Sequence, residues 1–422
     1  MEQQPELTKP LYGRDKKQEI LVILAFLIYS LLLASRYAFS ASILSIEAYY
    51  GVSHAEAGWA FTLFNIAYGI AQLFHTFFCK RYSSRYVIAG ILLITALLQL
   101  AQFFRPPFAS LSYLWLICGL VQSAFWPTFI YMLSQALDER YMEKAVLAFG
   151  FSALFGKVLE YGGRALLGND RFHFLFLGNA VLLAVLGLVW LFACNLLISG
   201  REGQKEAETA RDNGGKKALP LATIVFLVIC SILVIPDNFI REGLSTWMPS
   251  ILTEQFGKGD RLSLILTMAL SITALLGTYL AVGVNKFIKD YRALLFVFFG
   301  ATALFVGGAI LSMRGGITML LVLTSGCAIC LGSAINTVLI TMLPLAMRER
   351  VNSGFLAGLL NSAAYVGVAA STYGMGWIAD QTGGWKQVFI FLFVLSILST
   401  VLAVLNLFFG KAHHKADPAQ VD

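Results

Sequence analysis

Charge is what this chain of 422 residues has little of: Asp, Glu, Lys and Arg make up 13% of it, and only five residues are His. Soluble domains carry about 25% charged residues, so an ordinary water-facing surface cannot be assembled from this sequence. Catalytic signatures are missing too. There is no glycine-rich nucleotide loop, no His and carboxylate spacing suited to a metal, and no nucleophile–base arrangement, while His75 has no spaced partner. The six cysteines add nothing to that. Cys118, Cys194, Cys230, Cys327 and Cys330 fall within apolar runs and Cys79 at the end of one. Cys327 and Cys330 have redox or metal spacing but no His or carboxylate near them, so they read as ordinary buried small residues. These absences argue against an enzyme, a metal site or a bound cofactor.

What the chain does have is apolar sequence: 58% hydrophobic residues and a mean hydropathy of +0.73. A span needs about 20 apolar residues, and such stretches lie near 19–45, 56–78, 86–104, 108–135, 143–168 and 171–198. A second set lies near 219–249, 261–286, 292–313, 316–344, 351–379 and 385–410. The expectation is an all-α membrane protein with twelve transmembrane helices. Its divisions would be a tail at 1–18, a six-helix half at 19–198, a hydrophilic linker at 199–218, a second half at 219–410 and a tail at 411–422. The first apolar run is too long for a cleaved signal and leads into another span.

Lys and Arg set the orientation. With the N-terminus inside, the inner segments hold 21 of them and the outer loops six, namely Arg105, Arg171, Lys258, Arg261, Arg314 and Lys386. Both termini and the linker are therefore expected in the cytoplasm, in a cell (inner or plasma) membrane. The net charge of +7 is this topogenic bias and calls for no nucleic-acid partner. The lipid bilayer is the expected surrounding and a monomer the expected state.

An internal repeat organises the spans. Arg36 is followed by Gly51 and then the basic cluster Lys80, Arg81 and Arg85; Arg241 is followed by Gly257 and then Lys286, Lys289 and Arg292. Asp138-Glu139-Arg140 is echoed by Arg348-Glu349-Arg350. The offset is about half the chain, as in parallel repeats of six helices.

Arg36 and Arg241 thus sit at matching places inside apolar spans. A guanidinium keeps its charge, and placing one in a membrane helix costs roughly 2.5–3.5 kcal/mol. Arg36 lies sixteen residues into its span, roughly 24 Å, outward of the middle. Snorkelling to the headgroups is one reading; a pore-facing anion site is the other, since the forked guanidinium suits phosphate and carboxylate bidentately. Arg241 lies in Pro236-Asp237-Asn238-Phe239-Ile240-Arg241-Glu242. Asp237 and Arg241 are i and i+4 and could pair, leaving Asp237 or Glu242 to regulate access or carry a proton, and Pro236 permits bending. In the fifth span, Lys157, Glu160 and Arg164 form one stripe, either an internal charge ladder with a Lys157–Glu160 pair or a water-lined wall that offers Lys157 as a third cation; Arg164 can snorkel. Together the four cations and the carboxylates Glu160, Asp237 and Glu242 give the spans a surplus of one positive charge, which fits an anion. Asn361 and Tyr365, at i and i+4, either reach the cavity or bond between helices.

Across nearly its whole length the chain resembles the major facilitator superfamily, in its two six-helix halves, in Cys79-Lys80-Arg81-Tyr82-Ser83-Ser84-Arg85 after the second span, and in Gly376-Trp377-Ile378-Ala379-Asp380 with Gly384-Trp385. More narrowly it resembles the organophosphate:phosphate antiporters, the glycerol-3-phosphate and hexose-phosphate carriers. The residues that carry this are Ser35-Arg36-Tyr37-Ala38-Phe39, Gly58-Trp59-Ala60-Phe61, Asn65-Ile66-Ala67-Tyr68-Gly69, Phe125-Trp126-Pro127, Arg241-Glu242-Gly243 and Trp247-Met248-Pro249-Ser250. The resemblance implies that Arg36 and Arg241 bind a phosphoryl group and that Tyr29 and Tyr68 line the pore. It departs where Gln72 replaces a helix-2 lysine, where Ala153 falls near a helix-5 histidine, and where Lys80 and Asn285 replace loop aspartates. These departures point to a divergent anion specificity.

The expected activity is secondary transport of a small organic anion, an organophosphate exchanged for inorganic phosphate, by alternating access. Two other readings stay open: a proton-coupled carboxylate carrier with Glu160, Asp237 or Glu242 as proton acceptor, and a substrate sensor of the same fold that does not turn over.

Overall fold

The computed structural model describes residues 11–78, 83–198, 220–347, 351 and 353–414. With no water in a bilayer core, each backbone N–H and C=O must be satisfied within its own segment, so apolar runs of this length become helices. In chain order they are α1 (Leu11–Tyr50), α2 (His54–Phe78), α3 (Ser84–Phe103) and α4, broken at Ala124 into Phe108–Ser123 and Phe125–Ala136. Then follow α5 (Glu139–Leu167), α6 (His173–Ile198), α7 (Leu221–Ser250), α8 (Asp260–Asn285) and α9 (Tyr291–Gly315). The last are α10 (Thr318–Asn336, continued by a π-helical Thr337–Met342 and by Leu343–Ala346), α11 (Ser353–Thr382) and α12 (Lys386–His414). Among the described residues, eleven of these helices are long and apolar enough to cross a membrane, and large apolar side chains such as Leu304, Phe192 and Leu323 stand exposed around the bundle.

Two helices outrun their expected spans. Toward its start α1 continues beyond the apolar stretch to Leu11, and Gln18 anchors the extension by bonding the Asp138 carboxylate and backbone N–H before α5, both at 2.7 Å. At the other end of the chain α12 runs past Gly410 to His414. The expected linker at 199–218, the basic Lys80 and Arg81, Arg348-Glu349-Arg350, Cys79 and the chain ends at 1–10 and 415–422 lie outside the described residues.

The packing repeats as the sequence does. Within the first half α1 packs on α5, α2 on α4 and α3 on α6; in the second, α7 packs on α11, α8 on α10 and α9 on α12. The halves meet chiefly along two seams, α2 on α11 and α5 on α8, with a smaller contact of α1 on α7. Those two seams are each other's equivalents under the repeat. The repeat is also visible in the backbone: Gly51 after α1 and Gly257 after α7 both take left-handed φ, +64° and +59°, where a side chain would be strained.

Candidate functional site: a cation cluster between the halves

A cavity of about 160 Å³ lies between the halves, and Arg36, Lys157 and Arg241 all line it. Glu242 is the only carboxylate among its lining residues, which leaves a surplus of two positive charges. Rings from Tyr37, Phe61, Phe64 and Tyr365 and amides from Asn65, Asn238, Asn336 and Asn361 complete much of the wall.

Arg36 is 9% exposed and held by neutral groups only. Its Nε donates to Gln122 Oε1 at 2.6 Å and its Nη1 to Tyr365 Oη at 3.2 Å, while the Tyr68 ring covers one face at 4.4 Å. Gln122 is aimed in turn: its amide donates to Ser35 Oγ at 3.2 Å, and Gln99 donates to the Ser35 carbonyl at 3.1 Å. The charge is thus oriented without being neutralised. Because Tyr365 belongs to α11, the Arg36 bond crosses between the halves. Arg36 does not snorkel; its guanidinium points into the protein.

Arg241 is held differently. One turn beyond Pro236, which lies inside α7, its Nη2 donates to Asn238 Oδ1 at 2.7 Å and its Nη1 pairs with Glu242 at 2.5 Å. Nε is buried without a partner. The i and i+4 partner expected from spacing, Asp237, forms no ion pair with it. Instead Asp237 points at α10, where a Cβ on Gly332 would stand 3.1 Å from its Oδ1, and its Oδ2 is buried and unpartnered. Lys157 likewise ignores Glu160 and crosses to the other half, donating to Ser245 Oγ at 2.6 Å with its Nζ 5.0 Å from the Tyr37 ring. Glu160 is buried behind α5 facing Asn179. Arg164 is also buried, bonding Ser45 and Asn169. The expected ladder on α5 is therefore three separate environments, and Lys157 alone of the three reaches the cavity.

Of the remaining expected residues, Asn361 and Tyr365 line the cavity, and Tyr68 stacks on Tyr365 at 4.4 Å between centroids. Gln72 accepts from Asn361 at 2.7 Å across the α2–α11 seam. Tyr29 sits outside the lining, packed among Phe125, Trp126 and Phe149. Gln122, Asn238 and Ser245 are not among the residues expected at the site. Their signal was available for Gln122 and Asn238, as amides in apolar spans are costly unless bonded.

The end of the bundle that carries His54 is closed by bonds between the halves. The His54 ring joins Glu47 on α1, at 2.9 Å, to Glu254 beyond α7, at 3.2 Å, so that these three side chains cluster within 4.8 Å. Asp380 of α11 accepts from the His54 and Ala55 backbone N–H groups, which lack helical partners at the start of α2. Trp385 donates to Glu254 at 2.8 Å and stacks with Trp247. The backbones also touch: a Cβ on Gly58 would stand 2.1 Å from the Thr372 carbonyl oxygen, and one on Gly376 2.7 Å from that of His54.

The profile of the Major Facilitator Superfamily matches residues 25–357. A quinolone resistance transporter from Acinetobacter baumannii is 24% identical over 375 residues, which cover 83% of this chain and 85% of the relative. Among solved structures, a D-xylose-proton symporter superposes with a TM-score of 0.72 at 13% identity, covering 91% of this chain and 96% of its own. A bacterial homologue of the human lysosomal transporter Spinster, inward-facing and occupied, superposes with a TM-score of 0.70 at 13% identity, over 94% and 97%.

Proposed function

The chain belongs to the Major Facilitator Superfamily, whose members are transporters, and from that premise we propose that its cargo is a small organic anion, an organophosphate exchanged for inorganic phosphate. One observation carries the reading: Arg36 and Lys157 from one half and Arg241 from the other converge on one cavity that a single carboxylate lines. Forked donors bind phosphate and carboxylate through paired hydrogen bonds, and a cavity poor in water strengthens each of them. A cargo touching all three cations bridges the halves, so binding lowers the free energy of the closed arrangement and speeds its passage to the opposite-facing state. With the linker end in the cytoplasm, the closed His54 end faces outside and the cargo leaves or enters from within.

In proteoliposomes, uptake of an organophosphate then depends on phosphate inside the vesicle. Arg36→Lys abolishes that exchange, because a point charge replaces the fork and strands Gln122 and Tyr365; normal exchange by this variant refutes the two-arginine site. A second reading, proton-coupled uptake of a carboxylate, is favoured by Asp237 and Glu160, each buried with a carboxylate oxygen that has no hydrogen-bond partner. A pH gradient that drives accumulation with no internal anion selects it, and Asp237→Asn then abolishes the coupling. The name of the relative makes a quinolone a rival cargo, tested in the same vesicles by quinolone flux that survives Arg36→Ala.

A further inference from the structure

Beside the cation cavity lies a second chamber, and the two share Lys157, Arg241 and Asn336. It also holds about 160 Å³ and runs between α5, α8 and α10. On α5 its wall is small at Gly150 and Ala153, one to two turns toward the linker end from Lys157. Opposite stand the hydroxyls of Ser271 and Thr278 on α8 and of Ser333 and Thr337 on α10. No carboxylate and no aromatic ring lines it. The two compartments share the cations Lys157 and Arg241 and differ in the rest of their walls: the first adds Arg36, Glu242 and aromatic faces, the second small side chains and a group of hydroxyls.

The hydroxyl wall is built rather than incidental. Ser271 is 5% exposed and its Oγ has no hydrogen-bond partner. A helix offers such a hydroxyl a carbonyl four residues back, as Thr267 Oγ1 donates to the Ser263 carbonyl at 2.8 Å, so a free one is not forced by the fold. Gly277 fixes α8 against α10, since a Cβ there would stand 2.0 Å from the Cys330 carbonyl oxygen and 2.7 Å from Ser333 Cβ. At Thr337 the helix changes to π-helical winding through Met342, a feature common at functional sites.

We propose that this chamber is the subsite for the uncharged, hydroxyl-bearing body of the transported anion, whose charged head lies at Arg36, Lys157 and Arg241. The inference rests on the anion reading above and adds which body the anion carries and where it lies. A hydroxyl both donates and accepts, as the unpartnered Ser271 hydroxyl can, while Thr337, which donates to the Ser333 carbonyl at 2.8 Å, still offers lone pairs. A buried hydroxyl such as Ser271 is left unpaired by an apolar body and satisfied by a hydroxylated one, and sites of this kind reject the analogue that lacks the hydroxyl strongly.

The test is equilibrium binding to the purified full-length protein with two series of probes. Inorganic phosphate, glycerol 3-phosphate and phenyl phosphate share one head; acetate, gluconate and benzoate share the other. In the series whose head binds, the hydroxylated probe is expected to bind at least tenfold more tightly than the aromatic one. Ser271→Val and Thr278→Val, which replace the hydroxyls by methyl groups, weaken the hydroxylated probe about tenfold and leave the bare anion within twofold. The retained bare-anion binding shows that the variants are folded. Equal affinity for aromatic and hydroxylated probes, or equal losses for bare and hydroxylated anions, overturns the chamber assignment alone. If none of the six probes binds, or if Arg36→Ala leaves binding unchanged, the anion reading falls and the subsite falls with it.

Discussion

Glu242 is the residue whose removal is expected to tighten binding. It pairs with Arg241 at 2.5 Å and is the only carboxylate lining the cavity. An anion on the open edge of the Arg241 guanidinium comes within roughly 6 Å of the Glu242 carboxylate, a repulsion of about 3 kcal/mol at an effective dielectric constant near 20. The Arg241 and Glu242 side chains are 19% and 24% exposed, so water screens about half of that, leaving about 1.4 kcal/mol, or tenfold in affinity. Glu242→Gln keeps the shape and an acceptor for Arg241 while removing the charge. Titration calorimetry with the tightest anion of the two probe series should then give a dissociation constant about tenfold lower than the parent protein's. Exchange in vesicles should slow in the same variant, because bound anion is released less readily and the empty Arg241 keeps an unbalanced charge. An affinity within twofold of the parent, or weaker, refutes the assignment of Arg241 to the anion.

Other predictions concern the closed end and the helix seams. His54→Ala removes the ring that joins Glu47 to Glu254, so a cysteine introduced at Thr246, which lines the cavity and is 5% exposed, should react about tenfold faster with an impermeant thiol reagent applied from the His54 end in a background lacking the native cysteines; an unchanged rate refutes the closure. Gly58→Ala drives a Cβ against the Thr372 carbonyl oxygen and should cost about 1–3 kcal/mol, read as a loss of several degrees in Tm. Gly90→Ala, which meets nothing within 4 Å, should leave Tm unchanged or raise it, and equal losses in the two variants would refute the packing account.

The features legible in the sequence were those written along one chain segment. Hydropathy over about 20 residues locates a span without knowledge of its neighbours, and the repeat of Arg36 and Gly51 in Arg241 and Gly257 already relates the two halves. Charge partners were not legible in that way. Helical spacing pairs Asp237 with Arg241 and Lys157 with Glu160, yet Arg241 bonds Asn238 and Glu242, and Lys157 reaches Ser245 of the other half. Spacing reports which side chains share a face; it does not report which neighbour helix that face meets. Asp237 lies against Gly332 of α10, while the longer Arg241 extends past it to the cavity. Tyr29 illustrates the converse: the likeness of sequence implies a pore-lining tyrosine, and its own segment does not tell that the rings of Phe125, Trp126 and Phe149 pack around it.

The two arginines occupy equivalent places in the repeat but cannot respond alike to an anion. Arg36 is held by Gln122, Tyr365 and the Tyr68 ring, all neutral, so an approaching anion meets its full charge and displaces no ion pair. Arg241 already has Glu242, so the same anion must share it or displace the carboxylate. In an empty carrier this leaves a permanent attraction on one half and a compensated one on the other. The compensation matters when the halves rock, because a mostly buried guanidinium left unpaired is costly. Arg36 avoids that cost by staying fixed to Gln122 within its own half, while its bond to Tyr365 is one that rocking can break with little loss, as both partners are left facing the cavity. On the proposed anion reading, the asymmetry gives capture of the anion to Arg36 and sensing of its presence to Arg241, through exchange of Glu242 for the bound anion.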